Sequence, residues 1–206
     1  MKGILISFEG LDGCGKSTQV ELLAERLRSL GYAVQVFREP GATPLSESIR
    51  QLLLHTPTEI VPVAEMLLFN AARAQLVESA IRPALAAGAI VLCDRFADST
   101  TAYQGYGRGL PIDQVLLCNH IATGGLKPAL TLFLDVPAEV AIQRSQKGDR
   151  MERSGYEFFE RVRQGYWEIA RQEPERVVCI EASSSPERVH ATVWEHVRRL
   201  LPQPPG

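Results

Sequence analysis

Five short apolar runs recur along the chain: Ile4 to Phe8, Ala33 to Phe37, Ala89 to Cys93, Leu130 to Leu134 and Val177 to Ile180. Most are nearly continuous Val, Ile, Leu or Phe, the pattern of strands buried on both faces of a parallel sheet. Helical spacing fills the intervals. After Lys16, the residues Val20, Leu23, Leu27 and Leu30 fall on one face, and Gly31 closes the helix. Pro62 to Ala87 reads as a helix bent or split near Pro83, whose missing N–H breaks the ladder. Further helices are predicted around Pro111 to Ala122, Ala138 to Ser145, Tyr156 to Gln172 and Pro186 to Leu201. Strand–helix alternation over the whole length predicts an α/β fold: five parallel strands, flanked by helices on both faces and joined by right-handed crossovers. One domain is expected over residues 1–201, with the Pro-rich tail 202–206 frayed.

Composition narrows the class. The chain has 206 residues, 45% of them hydrophobic, enough for one core. Twenty-two basic against 24 acidic side chains leave a net charge of −2, which argues against a broad nucleic-acid surface. No apolar run approaches the roughly 18 to 20 residues of a membrane span, and Glu9 interrupts the opening run too early for a secretory signal. Cys14, Cys93, Cys118 and Cys179 lie far apart with no metal-ligand spacing. They read as reduced thiols of a cytoplasmic protein.

The chemistry begins directly after the first strand. Gly10-Leu-Asp-Gly-Cys-Gly15-Lys16-Ser17 matches G-x-x-x-x-G-K-[ST] without a mismatch, between a strand and an amphipathic helix. In such a P-loop the glycines let successive N–H groups converge on phosphate oxygens. The helix N-terminus and Lys16 add positive charge, and the Ser17 hydroxyl offers a ligand to magnesium. Gly10, Leu11, Asp12, Gly13, Cys14, Gly15, Lys16, Ser17 and Thr18 are therefore expected to bind a nucleoside triphosphate, ATP by the resemblance drawn below, with Mg²⁺. Cys14, near Lys16 and a helix N-terminus, is a candidate for a lowered thiol pKa and a reactive site, or else a small inert filler. No Asn-Lys-x-Asp follows a late strand, which excludes a regulatory GTPase.

A second anion site is expected on the same sheet edge. In an open parallel sheet, ligands bind beyond the carboxyl ends of the strands, where Glu9, Arg38, Asp94 and Arg95 stand. Two arginines there suit a second anionic phosphate, since a guanidinium can grip two oxygens at once. Asp94 is placed to organise magnesium, with Ser17 and Glu9 as further oxygen ligands, in part through water. The alternative is that Asp94 and Arg95 pair with each other or cap the next turn. In Met66 to Leu76, Arg73 is the one charge, and Phe69 stands four residues before it. That pair can stack a nucleobase and bond its carbonyl; it can equally be core plus a structural ion pair. The hydroxyl, phenol and amide groups of Ser99 to Gln104 form either a base-reading set or a polar loop.

Together the P-loop, Arg38-Glu39-Pro40-Gly41, the Phe69 to Arg73 helix and Asp94-Arg95-Phe96 through Tyr103-Gln104 resemble the thymidylate kinase family of bacterial type, from about Gly3 to Leu201. The resemblance implies a nucleoside monophosphate kinase fold and transfer from ATP to dTMP, giving ADP and dTDP. It implies Phe69 stacked on thymine, Arg73 on a base carbonyl, and Arg38 and Arg95 on the dTMP phosphate beside Pro40. Thr100, Thr101 and Gln104 would lie near the base, and Tyr103 where a ribose 2′-hydroxyl would protrude. Asp12 would reach the sugar 3′-hydroxyl or the magnesium shell. It further implies a cis Glu39–Pro40 bond and a homodimer packed through helices, with no nucleic-acid or membrane partner. Ala42 departs from it, standing where the family usually has a second glycine.

The transferring phosphoryl group needs a cation over it, and Leu11, Asp12, Gly13 and Cys14 supply none. Gln143 to Arg153 carries Arg144, Lys147, Arg150 and Arg153 around Gly148 without large apolar residues, the composition of a short lid over about residues 144–153. A solvated helix end has the same composition. Lys16, Arg95, Arg150 and Arg144 are thus the candidate catalytic cations. The competing functions are another nucleotide or deoxynucleoside kinase, and a non-catalytic nucleotide-binding switch.

Overall fold

The computed structural model describes residues 3–145 and 155–201. Arg150, with Lys147 and Arg153, lies outside the described residues, as do most of the expected lid and the tail 202–206.

Five strands form one sheet: β1 (Ile4–Glu9), β2 (Val34–Arg38), β3 (Ile90–Asp94), β4 (Leu130–Asp135) and β5 (Val177–Glu181). All pairs are parallel and the order is β2-β3-β1-β4-β5. Each strand reaches a charged residue just past its apolar run: Glu9, Arg38, Asp94, Asp135 and Glu181. The ladder itself extends them, since Arg95 N–H bonds Phe8 O, Glu39 N–H bonds Asp94 O and Ala182 N–H bonds Asp135 O. The carboxyl edge is therefore lined with charge. The central strands β1, β3 and β4 are buried almost throughout, but β2 is an edge strand with Gln35, Val36 and Arg38 exposed.

Helix α1 (Lys16–Ser29) buries Val20, Leu23, Ala24 and Leu27 against the sheet. Leu30 falls past its end and is exposed, because Gly31, at φ 87°, has already turned the chain. Helix α2 (Pro44–His55) is an element the periodicity reading missed. Its signal was local: Thr43 Oγ1 caps the Ser46 N–H at 3.1 Å, and Pro44 occupies the first turn. The long Pro62 to Ala87 segment is split, as α3 (Pro62–Leu76), a π-helical stretch over Val77–Ile81 and α4 (Arg82–Ala86). The break lies upstream of Pro83, whose ring would clash with the carbonyl four residues before it; the wide turn, with Arg82 N–H bonding Val77 O, relieves that.

The polar segment after β3 is helical: α5 (Ala97–Thr100) runs into a second π-helical stretch, Thr101–Gly107. Helices α6 (Ile112–Thr123), α7 (Ala138–Arg144), α8 (Tyr156–Gln172) and α9 (Pro186–Val197) complete the described fold. The main core joins β1, β4 and β5 to α1, α8 and α9, while Leu5, Val91, Cys93, Leu76, Val77 and Ile81 build a second layer on the other face. Among the described residues all four cysteines are free, and no helix is long and apolar enough to cross a membrane.

Candidate active site

The Gly10–Ser17 loop leaves β1 and enters α1 through Gly15, whose φ of 97° is left-handed and favours glycine. A Cβ on Gly13 would sit 2.6 Å from Ala141 O and 3.0 Å from Arg144 Cβ, so α7 lies directly on the loop and brings Arg144 beside it. Lys16 is buried, with Nζ donating to Gly10 O at 3.1 Å and Leu11 O at 2.8 Å. Ser17 Oγ donates to Asp94 Oδ2 at 2.7 Å, across from the neighbouring strand. That hydroxyl–carboxylate pair supplies hard oxygens at the mouth of a helix N-terminus. The pair fits Mg²⁺, which takes few protein oxygens and keeps waters and phosphate oxygens for its other ligands.

Two clefts open on this edge. The larger, about 940 Å³ with its open mouth, runs over the loop and is walled by Lys16, Ser17, Thr18, Arg38, Asp94 and Arg144. The smaller, about 650 Å³, is lined by Pro40, Leu54, Phe69, Arg73, Ser99, Thr100, Tyr103 and Gln104. Asp12, Glu39, Arg50 and Arg95 line both. The two clefts therefore meet.

Arg95 sits at that junction. Its φ of 74° is left-handed, a conformation that costs a non-glycine residue about 1–3 kcal/mol. It turns the side chain back over β1, where Nη1 donates to Gly10 O at 3.1 Å and Nη2 to Asp12 Oδ1 at 2.8 Å and Tyr103 OH at 3.2 Å. Asp94 is not its partner, because that carboxylate takes Ser17. Tyr103 OH in turn donates to Asp12 Oδ2 at 3.4 Å, and burial pushes its phenol up.

On the far wall, Arg73 makes the structural ion pair that its spacing left open. It is buried, with Nε donating to Glu39 Oε2 at 2.7 Å, Nη1 to Thr100 Oγ1 at 3.0 Å and Nη2 to Phe96 O at 3.0 Å. Asn70 Oδ1 and Asn119 Oδ1 take further, longer bonds from Nη1, which leaves one Nη2 N–H for the cleft. Phe69 lines the same cleft and rests on the small cluster of Ile49, Leu53 and Ala72. The Glu39–Pro40 peptide is cis. Glu39 is itself buried; desolvation raises its carboxyl pKa against the opposing pull of Arg73, and its Oε1 has no partner. Ala42 holds φ at 68°, at a cost of about 1–2 kcal/mol, and Glu47 Oε1 steadies it by accepting its N–H at 3.0 Å.

Three sequence expectations need correction. Glu9 is no magnesium ligand: it is fully buried, with Oε1 taking the Phe96 N–H at 2.7 Å and Oε2 taking Ser99 Oγ at 2.5 Å and Tyr166 OH at 3.1 Å. Desolvation, with Asp98 nearby, raises its pKa to about 7. Thr101 faces away from the cleft and accepts from Asn119 Nδ2 at 3.0 Å. Cys14 is not activated, because burial pushes its thiol pKa up and outweighs Lys16 and Arg95. Conversely, Arg50 was missed. It stands on the unrecognised α2, lines both clefts and donates to Pro40 O at 3.0 Å.

The family model described as thymidylate kinase matches residues 8–193, most of the chain. The chain belongs to the thymidylate kinase family. A thymidylate kinase of Synechococcus sp. (strain JA-3-3Ab) is 52% identical over 199 residues, covering 96% of this chain and 97% of that protein. One from Caldanaerobacter subterraneus subsp. tengcongensis is 48% identical over 203 residues, covering 98% of each. The crystal structure of thymidylate kinase from Ehrlichia chaffeensis superposes with a TM-score of 0.82 at 35% identity, over 96% of this chain and 100% of that one. The five-stranded parallel sheet with flanking helices is thus the thymidylate kinase fold. The meeting of the two clefts falls where β1 and β3, adjacent in space but separated in the chain, end together.

Proposed function

We infer that this chain is an ATP-dependent thymidylate kinase, transferring the γ-phosphoryl group of ATP to dTMP to give ADP and dTDP. One observation carries the reading beyond family membership: the loop cleft and the Phe69 cleft share a wall of Asp12, Glu39, Arg50 and Arg95, so a triphosphate in one and a monoester in the other meet at that wall.

The P-loop amides and Lys16 hold the donor phosphates, and Arg38, Arg50 and Arg95 hold the acceptor phosphate. Phe69 stacks the base, and the remaining Arg73 N–H meets a base carbonyl. Thr100 and Gln104 border the same edge. Tyr103 and Asp12 close the sugar end, where an added 2′-hydroxyl meets the ring. The acceptor is already anionic, so no general base is needed; positioning and charge neutralisation lower the barrier. Ser17 and Asp94 suit Mg²⁺, which when bound neutralises phosphate oxygens. Arg144, on the loop-facing helix, is the described cation placed to follow the charge of the transferring group, and Arg150 is a further candidate.

The protein is further proposed to act in the cytoplasm as a homodimer. Val63 and Leu67 on α3 and Leu116, Leu117 and Ile121 on α6 are exposed apolar residues on two helices that pack side by side. A second copy would cover them.

A coupled ADP-release assay across nucleoside monophosphates and thymidine tests the activity. Turnover with dTMP is expected. Turnover with thymidine but not dTMP, or ATP binding with no dTMP-dependent release, overturns it.

A further inference from the structure

Gln104 reaches the smaller cleft from the Thr101–Gly107 stretch, and its Nε2 donates to Glu65 Oε1 at 2.8 Å. Glu65 lies on α3, fully buried, and its carboxylate also accepts from Arg108 Nε at 3.2 Å and Nη2 at 3.4 Å. An ionised carboxylate accepts and cannot donate. Of the two ways a glutamine amide can sit there, one points its NH₂ at Glu65. The other sets two acceptor oxygens against each other where water cannot screen them, which forfeits the bond and adds repulsion. The amide oxygen is consequently turned away from Glu65. No described residue donates to it, and the cleft is what it borders.

We propose that Glu65 is a positioning residue for base specificity: by holding the Gln104 amide with its oxygen toward the cleft, it presents an acceptor to the N3 edge of the bound pyrimidine. This rests on the function proposed above, with the base lodged between Phe69 and Arg73. Thymine and uracil carry a donor N–H at N3 and an acceptor oxygen at position 4, which match the Gln104 oxygen and the remaining Arg73 N–H. Cytosine reverses both, with an acceptor at N3 and an amino donor at position 4. Each mismatch leaves a buried polar group unpaired, and such penalties discriminate more sharply than shape does. The pyrimidine set is thereby split between imino-bearing bases and cytosine.

The test compares kcat/KM for dTMP and dCMP, with ATP and Mg²⁺, in the wild type, in Glu65→Gln and in the exchange Glu65→Gln/Gln104→Glu. In Glu65→Gln the amide is free to rotate, and the dCMP-to-dTMP ratio should rise about tenfold or more, carried by the acceptor KM while the KM for ATP stays put. The exchange lets the new amide donate to the new carboxylate, whose other oxygen faces the base. The dTMP preference should return to within a few-fold of wild type. A purely structural role would lower both acceptors' rates together. An unchanged ratio in Glu65→Gln, or an exchange variant that does not restore it, overturns the proposal. Should Glu65→Gln fail to fold, the exchange decides alone, with a kept preference supporting the proposal and a lost one overturning it. A wild type inactive on dTMP overturns the function itself, a different result from an active enzyme whose selectivity ignores Glu65.

Discussion

Among the described residues, replacing Arg73 by Met removes the only cation bonded to Glu39 and leaves that carboxylate buried with neither oxygen paired. Both side chains are sealed from solvent, at 2% and 3% exposure, so the bond is not weakened by screening. Breaking such a pair from one side costs about 3–5 kcal/mol. For a chain of this size that is a fall in melting temperature of roughly 6–20 °C, or a urea midpoint lower by about 1–2 M. The loss should also depend on pH. Burial already raises the Glu39 carboxyl, and Arg73 is what holds it down. Without Arg73 the folded state keeps the proton to higher pH than the unfolded chain does. The variant is therefore least destabilised near or below the usual carboxylate value of about 4.3, and loses stability as the pH rises from there. Adding Glu39→Met replaces the pair by apolar groups and should recover most of the stability, since such replacements are often neutral. It should not recover the acceptor. Losing a charge-assisted bond to the base raises the KM for dTMP by about 10- to 100-fold, with the KM for ATP little altered. Urea melts at pH 5 and 7.5, with initial rates on both variants, separate the two effects. If Arg73→Met were as stable as wild type, the ion pair would carry no weight. If the double variant bound dTMP normally, Arg73 would not read the base.

Lys16→Ala should abolish transfer while leaving dTMP affinity within a few-fold, checked by single-turnover rates and calorimetry; an unchanged kcat removes the phosphate role of the loop. Tyr103→Ala should raise the acceptance of ribo- relative to deoxyribo-monophosphates, read as a ratio of kcat/KM, and an unaltered ratio rejects the steric argument. Glu9, with a pKa raised to about 7 by burial, binds a proton in the folded state that the unfolded chain releases near pH 4 to 5. Its favourable contribution is full below that range and is lost as pH rises through about 7, which for a shift of this size amounts to up to about 3 kcal/mol. Thermal melts from pH 5 to 8 should fall less steeply in Glu9→Gln than in wild type; parallel curves would show that Glu9 does not titrate there.

What could be read directly from the chain was what is contiguous in it. The phosphate loop needs only eight successive residues between a strand and a helix, and strand, loop and helix all lie in one stretch from Ile4 to Ser29. The acceptor cleft draws on β2, α2, α3 and the segment after β3, and periodicity cannot say that four separate elements converge. Spacing offered the Phe69–Arg73 pair and the cluster containing Tyr103, and resemblance gave each its expected role. It did not supply Arg50, because α2 was not recognised despite its Thr43–Pro44 cap. The π-helical stretch at Thr101–Gly107 has no 3.6-residue signature, so Thr100 and Thr101 could not be told apart: one faces the cleft and its neighbour faces Asn119. Cys14 shows the opposite failure. Its charged neighbours were legible, but its burial was not, and burial decides the sign of its shift.

The buried carboxylates share one design. Glu39 stands behind Arg73, Glu65 behind Gln104, and Glu9 behind Ser99 and Tyr166, both of which touch Arg95. Each takes a carboxyl group out of water, and where the group is ionised that is an expensive choice for stability alone. Its return is geometric, since Arg73 and Gln104 on the cleft wall are each held by a buried partner. Charge then orients the acceptor. Around the base, Arg73 is cancelled by Glu39 and Arg108 by Glu65. Over the loop, three other carboxylates, Asp12, Asp94 and Glu47, face five cationic side chains, namely Lys16, Arg38, Arg50, Arg95 and Arg144. A nucleoside monophosphate entering this edge meets a neutral end and a positive end, and only one orientation puts its phosphate at the positive one. With the substrates seated as proposed, that field points the monoester at the donor before any base contact is made, and base selection falls to the buried pairs.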